Sequence, residues 1–206
     1  MCYFAAPRKL KNAVLFVFSL IFYGWGEPRY IVLMIVSIVS GFVFALMIEK
    51  KQNKKSGLIL MWISVAVSLS FLLIFKYADF LIENVNQLPG VSLPLFKLSL
   101  PIGISFYTFQ TLSYTIDVYK GRIRPEKNII NFAAFVTMFP QLIAGPIVKY
   151  TDIREKLISR KHNWSLVEEG VEDFIIGLGK KVLLANNFGM LWEEAQSIGF
   201  ANISTP

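Results

Sequence analysis

The stretch from Pro101 to Val118 holds the densest set of groups able to do chemistry inside an apolar run. Placed on a helix at about 100° per residue, Gly103, Tyr107, Gln110, Tyr114 and Asp117 share one side, while Phe109, Leu112 and Ile116 share the other. Two phenols, an amide and a carboxylate in that register can hydrogen-bond a polar substrate, because intramembrane polar groups are costly and face a bundle interior or a wet cavity. A plainer reading has comparable weight. There the amide and hydroxyls tie helices together, at about 1 kcal/mol each, and Asp117 sits at the membrane surface beside Lys120 and Arg122.

A second amide, Gln141, lies in the segment Phe139-Pro140-Gln141-Leu142-Ile143-Ala144-Gly145-Pro146. Two prolines there interrupt the backbone ladder, and a broken helix frees carbonyls and amides that can hold a polar ligand at membrane depth. A kinked helix packed on its neighbours is the alternative. Lys180 and Lys181 follow Gly177 and Gly179 but lack the spacing of a P-loop and any preceding strand. They remain candidates for the phosphates of a cytoplasmic donor, against a snorkelling role at the interface. His162, the single histidine, lies in a polar loop that suits a solvated side chain better than a base, and no nucleophile-base pair is visible. One cysteine, Cys2, and one histidine leave no metal centre. Cys2 is open to acylation by its position alone.

These groups need membrane helices to position them. Of 206 residues, 54% are hydrophobic and 17% charged, with mean hydropathy +0.52 and net charge +7. Soluble domains carry about 25% charged residues. The basic residues gather in short clusters between apolar runs, which is the pattern of membrane topology and not of a nucleic-acid-binding face. Apolar runs predict spans over 13–26, 30–48, 57–75 and 101–118, a broken or re-entrant helix over 129–148, and a helix over 166–186 begun by a Ser165/Glu168 capping box. Residues 79–100 read as an interfacial helix followed by a turn-rich loop. The fold class is therefore all-α, a polytopic integral membrane protein of the cell membrane, with lipid as its surroundings. By the distribution of Lys and Arg, loops 49–56 and 120–128 are cytoplasmic, and 24–29 and 79–100 lie outside.

Three blocks, Leu100 to Gly121, Asn131 to Tyr150 and Phe174 to Asn186, together with Phe22-Tyr23-Gly24-Trp25-Gly26-Glu27-Pro28-Arg29, resemble the membrane-bound O-acyltransferase family, in the branch that acetylates alginate. The resemblance implies a partial ring of tilted helices around a funnel. It also implies acyl-CoA or another activated acyl donor as substrate, with no bound cofactor. The acceptor would be an extracytoplasmic polysaccharide, with periplasmic or extracellular acetylation proteins as possible partners. Relatives begin with one further helix and continue beyond the position of Pro206 to the family's catalytic histidine. The chain is thus expected to be the N-terminal portion of a single membrane domain with no catalytic residue of its own. A small-solute transporter and a non-catalytic scaffold of an envelope complex are the rival functions.

Overall fold

In the computed structural model, which describes residues 2–52, 54–88, 90–142, 145–160 and 163–198, every regular element is helical. The chain forms two compact units, Met1–Ser159 and Arg160–Pro206. The first contains α1 (Cys2–Ala5), α2 (Lys11–Gly26), α3 (Ile31–Lys50), α4 (Lys55–Val85), α5 (Ile104–Tyr119), α6 (Ile129–Thr137), α7 (Phe139–Leu142) and α8 (Tyr150–Ile158). The second is one helical run, α9 (Trp164–Gly179), a π-helical turn over Lys180–Ala185 and α10 (Asn186–Ile198). Among the described residues, three stretches, Pro28–Lys50, Lys55–Val85 and Trp164–Ser197, are long and apolar enough to cross a membrane. The protein is an all-α, polytopic membrane protein.

Helix α5 is the core of the first unit. At 16 residues it is about 24 Å long, short of the roughly 30 Å of hydrocarbon. Its polar content would be costly against lipid, and α3, α4, α6 and α8 pack around it. Where α3 meets α5, Gly41 lets the backbones approach, since a Cβ there would collide with the Thr111 methyl. The enclosure is wider than the wheel indicated. Leu112, expected on the outer side, is buried, and Phe109 remains the exposed position of that side.

Hydrogen bonds fix which ends lie together. At one face, the Gln52 amide in the α3–α4 turn donates to the Val118 carbonyl (3.1 Å) at the end of α5. There α5 stops in a Schellman motif, with Gly121 at φ +70°, Arg122 N–H on the Asp117 carbonyl and Gly121 N–H on that of Val118 (3.0 Å each). At the same face Asn12, at the start of α2, donates to the Asn131 side chain (2.7 Å) at the start of α6 and to the Leu157 carbonyl (3.1 Å) near the end of α8. The segment from α6 through α7 to α8 therefore enters and leaves at one face. Opposite, the Tyr30 hydroxyl meets Ser99 (2.7 Å) before α5 begins. The basic loops share one face, and residues 24–30 share the other with 99–103.

Two local expectations need correction. Helix α4 does not end at Phe75. It runs through Lys76, Asp79 and Glu83 to Val85, 31 residues or about 46 Å, so its last turns project past the hydrocarbon. The Asp79 carboxylate accepts from Phe96 N–H, and Asn86 pairs with both backbone groups of Leu93, folding the following loop back onto that projection. The helix expected over 166–186 begins at Trp164, where Asn163 caps it by accepting from Ser165 N–H (3.4 Å), and continues through α10. Asn163, two residues upstream, takes the capping place assigned to Ser165.

Cysteines placed singly at Lys54, Arg124 and Gly90 are expected to divide two to one in labelling of intact cells by a membrane-impermeant maleimide: Gly90 reacts, and the other two react only after permeabilisation. Equal reactivity of Lys54 and Gly90 would invalidate this arrangement.

Candidate functional site

The polar side of α5 is buried along its length: Tyr107 is 0% exposed, Gln110 1%, Tyr114 0% and Asp117 6%. The four do not share one environment, because each turn of the helix meets different neighbours. Toward the basic face, the Tyr114 hydroxyl accepts from Glu126 N–H (2.8 Å). Glu126 in turn receives the Tyr150 hydroxyl on Oε2 (2.7 Å) and the N–H groups of Lys127 and Asn128 on Oε1 (3.0 Å each). Asn128 then caps α6 by accepting from Ile130 N–H (2.9 Å). The Tyr114 ring stacks on Phe132 (4.4 Å between centroids) and meets Tyr150 edge-on (5.2 Å). Asp117 pairs with Arg122 at 3.0 Å, with the arginine largely in solvent. Tyr114 and Asp117 thus hold the 120–128 loop against α5.

One to two turns toward the other face, Tyr107 and Gln110 differ in kind. The Tyr107 hydroxyl and the Gln110 Oε1 are buried and meet no hydrogen-bond partner. Buried polar atoms in native proteins are paired in roughly nine cases of ten, and the exceptions mark water, ligand or function. The elements packed on α5 use Gly103 at its N-cap, left-handed at φ +75°, where a Cβ would stand 2.5 Å from the Leu142 carbonyl. That close approach brings α7 to the start of α5.

Gln141 lies on α7, and the break explains its task. Met138 leaves helical geometry at ψ +112°, so the carbonyl of Phe135 loses its regular partner, the Phe139 N–H. The Gln141 side chain donates to that carbonyl at 2.8 Å. Lys180 and Lys181 are exposed on the π-helical turn of the second unit, an element often found at functional positions. His162 lies outside the described residues, and no group of three or more potential metal ligands occurs among the described ones.

Glu126 and Tyr150 carry this arrangement yet were not candidates in the sequence. Glu126 stands alone among Arg122, Arg124 and Lys127, just before a helix cap, and that isolation was the available signal. Burial, and next the hydrogen bond to Glu126, push the Tyr150 phenol well above its ordinary range.

The chain is 34% identical over 194 residues to "Probable alginate O-acetylase AlgI" of Pseudomonas syringae pv. tomato, covering 92% of this chain and 38% of that protein. It is 35% identical over 197 residues to the protein of the same name in Pseudomonas aeruginosa, covering 92% and 37%. With the "Peptidoglycan O-acetyltransferase" of Helicobacter pylori it shares 30% identity over an alignment of 236 residues, covering 96% and 44%. The chain thus spans about two-fifths of the length of these curated relatives. No family model and no solved structure matches it.

Tyr150→Phe removes a hydrogen bond to a carboxylate and should lower unfolding stability in detergent by about 2 kcal/mol. The native fold binds the Tyr150 proton more tightly than the unfolded chain does. Its contribution is therefore complete below about pH 10 and falls as pH rises above that value. Unfolding stability measured across alkaline pH should decline less steeply in Tyr150→Phe, and identical slopes would show that burial and Glu126 do not hold the proton of this phenol.

Proposed function

Because the chain belongs to the membrane-bound O-acyltransferase family, we propose that it is the amino-terminal portion of a membrane O-acetyltransferase acting on an extracytoplasmic polysaccharide. The observation that carries this reading is similarity along 90% or more of the chain to proteins named for acetylating alginate or peptidoglycan. Those names agree on the reaction and differ in the glycan. Alginate-type acetylation is favoured, since the identities are 34–35% for four of the alginate proteins and 30% for the peptidoglycan one.

In this reading acetyl enters from an activated donor such as acyl-CoA at the face of the basic loops, and the acceptor hydroxyl approaches from the other face of the cell membrane. Tyr107 and Gln110 line the path between them. Tyr114 and Asp117 hold its inner end, Gln141 keeps the broken helix in shape beside it, and Lys180 and Lys181 meet the donor's phosphates. The buried, unpartnered phenol and amide on α5 support the path, because they offer hydrogen bonds that the protein itself does not use. Attack on the acyl carbonyl requires a base of near-neutral pKa to take the hydroxyl proton. We place that base, a histidine in the family resemblance, in sequence outside this chain, and extracytoplasmic acetylation proteins as its partners.

Expressed and inserted alone, the 206-residue chain is expected to transfer no acetyl from acetyl-CoA to a mannuronate oligomer, whereas a longer protein containing it is expected to do so. In that longer protein Gln110→Leu should lower acetyl transfer per folded molecule about tenfold, a barrier increase of about 1.4 kcal/mol. Phe109→Leu, at the exposed side of α5, should change it little. Full turnover per folded molecule in Gln110→Leu would take α5 out of the reaction path.

A further inference from the structure

Among the described residues, seven buried side-chain atoms have no hydrogen-bond partner, and five of them sit on α2 and α5, with Asn12 Oδ1 at the far end of α2 from the other four. Ser19 and Tyr23 are four residues apart on α2, and Tyr107 and Gln110 are three apart on α5, so each pair looks in one direction. Tyr23 and Tyr107 belong to the same buried cluster, and Tyr23 shares a groove wall with Ile102, just before α5 begins. Many other buried groups of the bundle are paired. The hydroxyls of Thr111, Thr115 and Thr137 donate to carbonyls of their own helices, and Tyr114 and Tyr150 both meet Glu126.

Tyr23 also forms part of the wall of a groove of about 190 Å³ at the non-basic face, which it lines with Phe22, Trp25, Gly26, Glu27 and Ile102. The groove walls are apolar for the most part, and the Tyr23 hydroxyl lies buried behind them. The atoms themselves limit what fits behind it. Gln110 Oε1 only accepts, whereas a tyrosine hydroxyl both donates and accepts. A ligand that donates to Gln110 Oε1 and exchanges hydrogen bonds with the phenols satisfies all three, as an alcohol does, whereas a carboxylate or ester has no proton to give Oε1.

We infer that Tyr23, Tyr107 and Gln110, backed by Ser19, form a binding site for an alcohol hydroxyl, reached from the groove beside Trp25 and Glu27. Water fills it when no alcohol is bound, since an empty polar site of this kind would leave each group at its full desolvation cost. The inference deepens the proposed function by giving α2 a share of the acceptor site. It rests on that reading for the identity of the alcohol, a sugar hydroxyl, and on the side chains alone for its chemistry.

The chain in lipid nanodiscs, labelled with 3-fluorotyrosine and titrated with methyl β-D-mannopyranoside, tests it by fluorine NMR. The Tyr23 and Tyr107 resonances, assigned through Tyr23→Phe and Tyr107→Phe, are expected to shift together and saturably, with no saturable change at the more exposed Tyr77. Gln110→Leu should weaken the apparent affinity at least tenfold while the Tyr114 and Tyr150 resonances stay in place. Should Gln110→Leu not fold, Tyr107→Phe must weaken the Tyr23 response in the same way. Absence of a saturable shift at both tyrosines overturns the site, and so does a response only to exchange of H2O for D2O, which would mark water alone. Unchanged affinity in the folded variants also overturns it. No acetyl transfer is needed for the readout, so its failure and the failure of the acyltransferase reading are separate results.

Discussion

The arrangement of the first unit depends on one constraint: α5 carries more polar groups than hydrocarbon tolerates, and it is too short to span that hydrocarbon unaided. It must be surrounded. The helices around it expose apolar side chains, and among their buried residues are the small or polar Ser37 and Gly41 of α3 and Gly57, Ser64 and Ser68 of α4. Gly41 on α3 and Gly103 at the start of α5 are places where a single methyl group would separate the elements. Thr111 and Thr115 reach the same end differently, turning their hydroxyls back to their own helix and presenting methyl groups to neighbours.

Where the backbone leaves regular geometry, side-chain amides take the place of water. Gln52 occupies the carbonyl of Val118, Gln141 that of Phe135, and Asn12 that of Leu157. Each lies near a helix end or break, which is where main-chain groups lose their own partners. The Glu126 carboxylate does the converse and gathers donors: two N–H groups and a phenol converge on it. Through these few residues the re-entrant segment and the 120–128 loop become parts of the bundle. Tyr107 and Gln110 are among the buried groups that nothing in the protein answers.

The helices were legible in the sequence wherever an apolar run ended in charge, as at Glu49-Lys50-Lys51. The same signal failed at Lys76. The apolar run stops there but the helix does not, since outside the hydrocarbon a helix keeps its backbone bonds and exposes Lys76 and Glu83 to water at little cost. The break near Pro140 was readable because proline chemistry is local. The wheel of α5 gave direction correctly for Tyr107, Gln110, Tyr114 and Asp117, yet direction is not depth. Gln110 and Tyr114 differ by one turn, and that turn decides whether a side chain meets the 120–128 loop or nothing at all. The bond between Glu126 and Tyr150 joins positions 24 residues apart, and no periodicity carries such a contact.

The shortness and polarity of α5 also govern how the chain reaches the bilayer. A segment bearing Gln110, Tyr114 and Asp117 gains too little from lipid to partition there unaided. Synthesis from the amino terminus delivers α2, α3 and α4 first, so a partly formed surface is already in place when α5 leaves the ribosome. Its entry is an act of docking more than of insertion. Gln52, made some 66 residues earlier, waits at the membrane surface for the carbonyl of Val118. The biogenesis of this chain is therefore sequential by design of its hydrogen bonds, with each late, polar segment admitted by an early, apolar one.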